Sequence, residues 1–326
     1  MARSRSRKSR SKFSIEPAVK KVFFSVPLND GAQSPGPVAS YIDISEIACI
    51  VNRRFYRQGL NWAVAGFRLH TAANSSGVVN IFKIQDTWMA SNAWTKGFAL
   101  WNRMNDQVLD EQPSIKPKFH DFKIHMDSTH VGNQFSNNLI PYSEDAAGTQ
   151  TAYLEGEWTR SLIEMPNIGG AGTTVAYALK MHGDDSVSSK ALIQGYADSR
   201  SVPTEPDPVT QAGADTGWMN NLLDMGDTHD DIAFNLQDIG EDLPYNQMEY
   251  PGAGGNADEP ALHAIANITP TTVGGTTSLE GGNFQCGLVK IVSNLVGGGA
   301  ETAYELELIL VPGPHRGYLA QPMQEV

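Results

Sequence analysis

The chain has 326 residues, 24 basic and 36 acidic, a net charge of −12 at neutral pH; 40% are hydrophobic and 18% charged. That length allows one large domain or two ordinary ones. The hydrophobic content excludes a wholly disordered chain, and 31 glycines with 18 prolines argue against a helical bundle. The first twelve residues, Met1–Lys12, contain Arg3, Arg5, Arg7, Lys8, Arg10 and Lys12 and no acid. Without them, 18 basic residues face 36 acidic ones, so a cationic arm is joined to a body of net charge −18. Such an arm buries too little apolar surface to order itself. It suits phosphate neutralisation with counterion release, which is sequence-independent nucleic-acid binding. We read residues 1–17 as a disordered Arg/Ser-rich arm and 18–326 as one domain. An acid-free Arg/Ser start also fits a transit peptide, but positions 3–12 offer no apolar face. A nuclear localisation signal is compatible with nucleic-acid binding. Phosphorylation of the Arg-Ser dipeptides would add about −1.5 to −2 charges per site and cancel the arm.

Beyond the arm, Lys20–Leu28 predicts a strand and Asn29–Pro37 a loop. Tyr41–Val51 is apolar and ambiguous. Trp62–His70 and Val78–Ile84 predict strands. Asp86–Val108 changes period: Trp94, Phe98 and Trp101 fall at i, i+4 and i+7, an amphipathic helix capped near Asp86 or Thr87. Its aromatic stripe reads as a face packed on a sheet rather than a ligand box. Strands are expected again at Phe119–Met126, within Thr151–Ile163, at Thr173–Met181 and at Lys190–Tyr196. Ser201–Gly217 reads as a loop, Trp218–Leu223 and Asp230–Ile239 as short helices. Pro251–Glu259 and Gly274–Gly282 read as Gly-rich loops. Phe284–Val292 and Tyr304–Val311 close the series; in the last, Tyr304, Leu306, Leu308 and Leu310 face away from Glu305 and Glu307. The total is roughly eight to ten strands without strand–helix alternation, hence an all-β chain.

Motifs for chemistry are sparse. Gly183-Asp184-Asp185 matches the metal triplet of viral RNA polymerases, but no partner acidic motif precedes it, and it reads as a turn. Asp224, Asp227, Asp230 and Asp231 form an acidic cluster that does not fit a calcium loop. It reads first as a helix start decorated with acids, and otherwise as a structural divalent-cation site shared between subunits. His120, His125 and His130 recur every five residues, a spacing that suits ligands on neither a strand nor a helix, and read as surface or interface residues. Cys49 and Cys286 make neither a disulfide framework nor a zinc site and read as buried thiols. No hydrolase, metalloprotease or P-loop signature occurs, and neither a catalytic residue nor a cofactor is expected. No apolar run long enough for a transmembrane helix exists, so membrane insertion is not expected. No apolar segment follows the basic start, so secretion is not expected either.

Arg53-Arg54-Phe55-Tyr56-Arg57 sets three charges around two aromatics, a pattern suited to phosphate contact and base stacking. The competing reading gives the aromatics to packing and the arginines to subunit carboxylates. Arg53, Arg54 and Arg57 join the arm residues as candidate nucleic-acid contacts.

The Arg/Ser arm Arg3–Lys12, the strand Val22–Leu28, the long Pro/Gly loops and the closing strand Tyr304–Val311 with its Pro312–Gly317 tail form a layout. That layout resembles the jelly-roll capsid proteins of small icosahedral viruses, most closely those of circular single-stranded DNA viruses that encode a replication initiator. The resemblance implies a single eight-stranded jelly roll, a two-sheet sandwich with short helices in long loops. It also implies self-assembly into a shell of sixty copies or a multiple, and arms turned inward onto a single-stranded genome, DNA favoured over RNA. The virion would be its location, with the host nucleus a site of assembly. A nuclear nucleic-acid-binding protein with an Arg/Ser tail and a β-sandwich body is the competing class.

Overall fold

The computed structural model describes residues 16–28, 36–111, 121–166, 174–199, 259–297 and 302–325. Strand β1 (Lys21–Pro27) turns Val22, Phe24 and Val26 inward, as period-two alternation dictates. β2 (Val38–Asp43) runs directly into helix α1 (Ile44–Asn52), followed by β3 (Leu60–His70) and β4 (Ser76–Lys83). A long excursion comes next. It holds α2 (Trp88–Glu111), α3 (Ser128–Asn133), β5 (Tyr142–Glu144), β6 (Gln150–Ala152), β7 (Leu162–Pro166), β8 (Thr174–Lys180), β9 (Ser189–Ala191) and α4 (Leu192–Asp198). The chain returns as β10 (Ala261–Ile268), β11 (Thr276–Phe284), β12 (Leu288–Val296) and β13 (Ala303–Leu310). It ends in short β14 (Pro312–Gly313), β15 (Gly317–Tyr318) and β16 (Ala320–Pro322).

One sheet runs β11-β3-β13-β1-β5-β6, with β16 also on β3; the other runs β10-β4-β12-β2, and within both every pairing is antiparallel. The pairing is nested. β1 lies on β13 with Val22 opposite Leu308, and β2 on β12 with Ile42 opposite Val289. β3 lies on β11 with Phe67 opposite Leu279, and innermost β4 on β10 with Ile81 opposite Ala264. The two sheets face each other across one core. Phe24, Trp62, Phe67, Leu306 and Leu308 of the first meet Ile42, Val79, Ile81, Val289 and Ile291 of the second, all buried. The chain is thus an all-β sandwich of antiparallel sheets, as the sequence predicts.

A second core lies on the outer face of the smaller sheet. There Tyr41 and Leu288, which alternate with inward residues of β2 and β12, join Trp94, Trp101, Phe122, Leu179, Met181, Leu192 and Met323. The predicted helix appears as α2, with Thr87 Oγ1 accepting from Ala90 N at 3.3 Å. Its Trp94 and Trp101 are buried, and Phe98 is half-buried. The stripe packs on Phe122, with ring centroids 5.8 Å from Trp94 and 5.4 Å from Trp101, in the core that also takes Tyr41 and Leu288 from the outer face of the smaller sheet.

Three element expectations are corrected, and two segments left open by the sequence are assigned. Within Phe119–Met126 the described residues form no strand beyond a single bridge, His125 to Lys180, although residues 122–126 are all buried; Ile124 N donates instead to Gln58 Oε1 at 2.7 Å. Lys190–Tyr196 ends its strand at Ala191 and turns into α4. Gly274–Gly282 is mostly strand β11, not loop, and Ala261–Ile268, unassigned from sequence, is strand β10. In β10 the inward residues Ala264 and Ala266 are too small to mark the period. Tyr41–Val51 divides at Asp43 between strand and helix.

Candidate nucleic-acid interface

Arg3, Arg5, Arg7, Lys8, Arg10 and Lys12 lie outside the described residues, as do Asp224, Asp227, Asp230, Asp231 and His120. The described chain begins at Glu16, and its first residues are docked on the C-terminal end of α1. Glu16 Oε2 accepts from Arg54 at 2.8 Å, and Val19 N donates to Asn52 Oδ1 at 3.0 Å. Tyr318 OH donates to the Val19 carbonyl, and Asn52 Nδ2 donates to Tyr318 OH at 2.7 Å. The C-terminal tail therefore clamps the arm's point of departure against α1.

Helix α1 is set by its caps. Asp43 Oδ1 accepts from Ser45 N at 2.9 Å and Glu46 N at 3.3 Å, and Arg53 ends the helix in the left-handed region at φ 51. The reversal sends the Arg-rich segment back along the sandwich end. Arg53, Arg54 and Arg57 are exposed. Tyr56 is buried, its ring 5.8 Å from Trp62 and 5.6 Å from Tyr318, and its hydroxyl donates to Arg316 O at 3.0 Å. Of the two aromatics, Tyr56 is thus a packing residue, whereas Phe55 lines an open groove. Arg54 engages a carboxylate of its own chain, Glu16. Arg316, missed in the sequence, belongs to the same cluster: it is exposed, held at φ 50, and its guanidinium donates to Phe55 O. The sequence signal was present in the Pro-His-Arg-Gly stretch, but only folding sets it against residue 55.

The groove has a volume of about 540 Å³ and is lined by Glu46, Cys49, Ile50, Arg53 and Phe55 from one side and by Tyr153, Leu154, Glu157 and Trp158 from the connection after β6. Tyr153 and Leu154 are 39% and 90% exposed, so the groove presents apolar surface to solvent. At its floor, burial, aided by the Asp43 charge, pushes the Glu46 carboxyl up to about 8, although Asn138 Nδ2 donates to Glu46 Oε2 at 2.8 Å. Burial likewise raises Asp43 to about 6 against hydrogen bonds from Gln58 Nε2 at 2.9 Å and Trp158 Nε1 at 3.0 Å. Lys123 Nζ stands 4.5 Å from the Trp158 ring centre, a cation–π contact. Burial pushes the Cys49 thiol up to about 12, which disfavours its thiolate.

The remaining candidates resolve into structure. His125 and His130 are buried, correcting the expectation of surface positions. Burial is the largest cause in holding them down, to about 3 and about 4, and His130 Nδ1 accepts from Met126 N at 3.1 Å. Gly183-Asp184-Asp185 is a turn: Gly183 has φ +89, Lys180 Nζ donates to Asp184 O, and Asp185 lies 3.3 Å from Lys190. Cys286 is buried and Cys49 half-buried, both free thiols. Among the described residues no group of His, Cys, Asp or Glu could hold a metal ion, and no helix is long and apolar enough to cross a membrane.

No family model matches this chain, and no curated protein or solved structure gives a significant match.

Proposed function

We propose that this chain is a viral capsid protein that self-assembles into an icosahedral shell and packages a single-stranded genome, DNA rather than RNA, through its Arg-rich arm. The observation that carries the reading is the nested strand pairing. Strands β1–β4 and β10–β13 pair first with last, second with next-to-last, and so inward to β4 with β10. A ribbon so paired, rolled upon itself, is an eight-stranded jelly roll, an architecture used by viral capsid and lectin domains and cupins. The charge pattern favours the capsid. Six cationic residues in the first twelve precede a body of net charge −18, and such a body cannot approach phosphate except where the tails reach.

In a closed shell all tails point to one side. Sixty copies would gather about 360 positive charges there, a useful share of the phosphates of a small genome. The virion is then the protein's location, with the host nucleus a site of assembly, and its role is structural rather than enzymatic. A divalent cation at the Asp224–Asp231 cluster would relieve repulsion between neighbouring subunits.

Sedimentation across salt concentrations, with electron microscopy of the product, tests the reading. Uniform closed shells at moderate salt, which screens body–body repulsion, support it. A chain that sediments only as monomer or dimer, with and without nucleic acid, is a nucleic-acid-binding protein of another kind and not a shell subunit.

A further inference from the structure

The groove beside α1 is placed where a strand held by the arm would arrive. The arm enters the described chain at Glu16, Glu16 is bound to Arg54, and Arg53 lines the groove. We propose that this groove is a nucleobase pocket, taking one unpaired base of a single strand between Phe55, Tyr153 and Trp158 while Arg53 holds the adjoining phosphate. The proposal rests on the packaging function above and adds to it a site that reads the base rather than the backbone.

Three observations carry it. The lining is aromatic where stacking is needed, and aromatic faces accept every base, as sequence-tolerant single-strand binding requires. The volume of about 540 Å³ lies within the range of roughly 300–1,000 Å³ of small-ligand pockets and leaves room for a base with its sugar. The charges are also sorted by depth. Arg53 is exposed, whereas Glu46 at the floor is buried and held largely protonated at neutral pH. A neutral carboxyl can donate to a ring nitrogen or carbonyl of a base and does not repel it. Glu157, exposed in the connection after β6, disfavours phosphate in the groove itself and leaves it to the arginine side. A strand lying across the groove would thus turn a base in and keep its backbone out.

The test uses the full chain and two probes, a short oligodeoxythymidylate and an abasic oligomer of the same length and charge. Binding is measured by fluorescence anisotropy at a salt concentration that weakens the arm's contribution. The base-bearing strand should bind roughly tenfold more tightly, the scale of one stacked base. Tyr153→Ala, in an exposed connection, and Phe55→Leu, which keeps apolar bulk, should each shrink that advantage and leave the abasic affinity unchanged. Equal affinity of the wild-type chain for both probes would overturn the pocket and leave electrostatic packaging standing. Equal losses for both probes in the two variants would also overturn it. Failure to bind either probe would instead remove the nucleic-acid function itself.

Discussion

At the scale of single residues, Glu46 offers the cleanest physical handle. Burial is the larger cause and the Asp43 charge the next in raising its carboxyl from 4.5 to about 8. Between those values the folded state keeps a proton that the unfolded chain releases, so this residue makes stability fall as pH rises from 4.5 to about 8. The buried His125 and His130 act in the opposite sense. They stay neutral when folded, so they make stability fall as pH drops below their ordinary 6.5. The wild-type curve therefore mixes both slopes, and only a difference isolates Glu46. Glu46→Gln, which keeps an acceptor for Asn138, should come closest to wild type near pH 4, below the unfolded value of 4.5. It should gain on the order of 1–3 kcal/mol near pH 8. Thermal melts of both chains at the two pH values decide this; a pH-independent difference would mean that Glu46 is not held protonated.

At the scale of elements, two positions separate helix packing from strand packing. Trp101 of α2 is 8% exposed and set against Phe122. Trp101→Ala should cost roughly 3–5 kcal/mol, read in denaturant unfolding; an unchanged midpoint would put this helix face in solvent. Gly281 sits in β11 between Glu280 opposite Gly66 and Gly282 opposite Val64, where the two backbones run close. A Cβ there would stand 2.1 Å from Val64 O, a backbone atom that cannot move aside. Gly281→Ala should therefore cost roughly 1–3 kcal/mol in the same unfolding assay. That requirement also explains why a glycine run that looks like a loop is a strand.

At the scale of the whole molecule, the governing quantity is the separation of a +6 arm from a −18 body. Deleting Met1–Lys12 should leave the sandwich folded by circular dichroism but remove most packaged nucleic acid, measured by the absorbance ratio of purified particles. Normal packaging by the truncated chain would end the arm's role. In the intact chain, the logarithm of the affinity for single strands should fall with the logarithm of salt concentration, with a slope of magnitude up to about 4–5. That follows from roughly 0.7 per phosphate contact over the arm's charges.

How much of this was legible follows from the range of each interaction. Alternation along β1 and β13 and the helical stripe of α2 are set within a few neighbouring residues, so the sequence alone announced the all-β class, the long helix α2 and the cationic arm. β10 and β11 were hidden because small residues carry no periodic signal: Ala264 and Ala266 face the core, and Gly281 and Gly282 sit inside β11. The buried His125 and His130 were misjudged because burial of a polar ring depends on what packs over it, not on its spacing. The gathering of Arg54, Arg316, Glu16 and Phe55 was decided only by tertiary structure. Arg54 meets Glu16 across 38 positions and Arg316 meets Phe55 across 261. A charge pattern along the chain states what a protein can attract. Where those charges converge depends on pairings that only the closed sandwich, with β1 lying on β13, brings together.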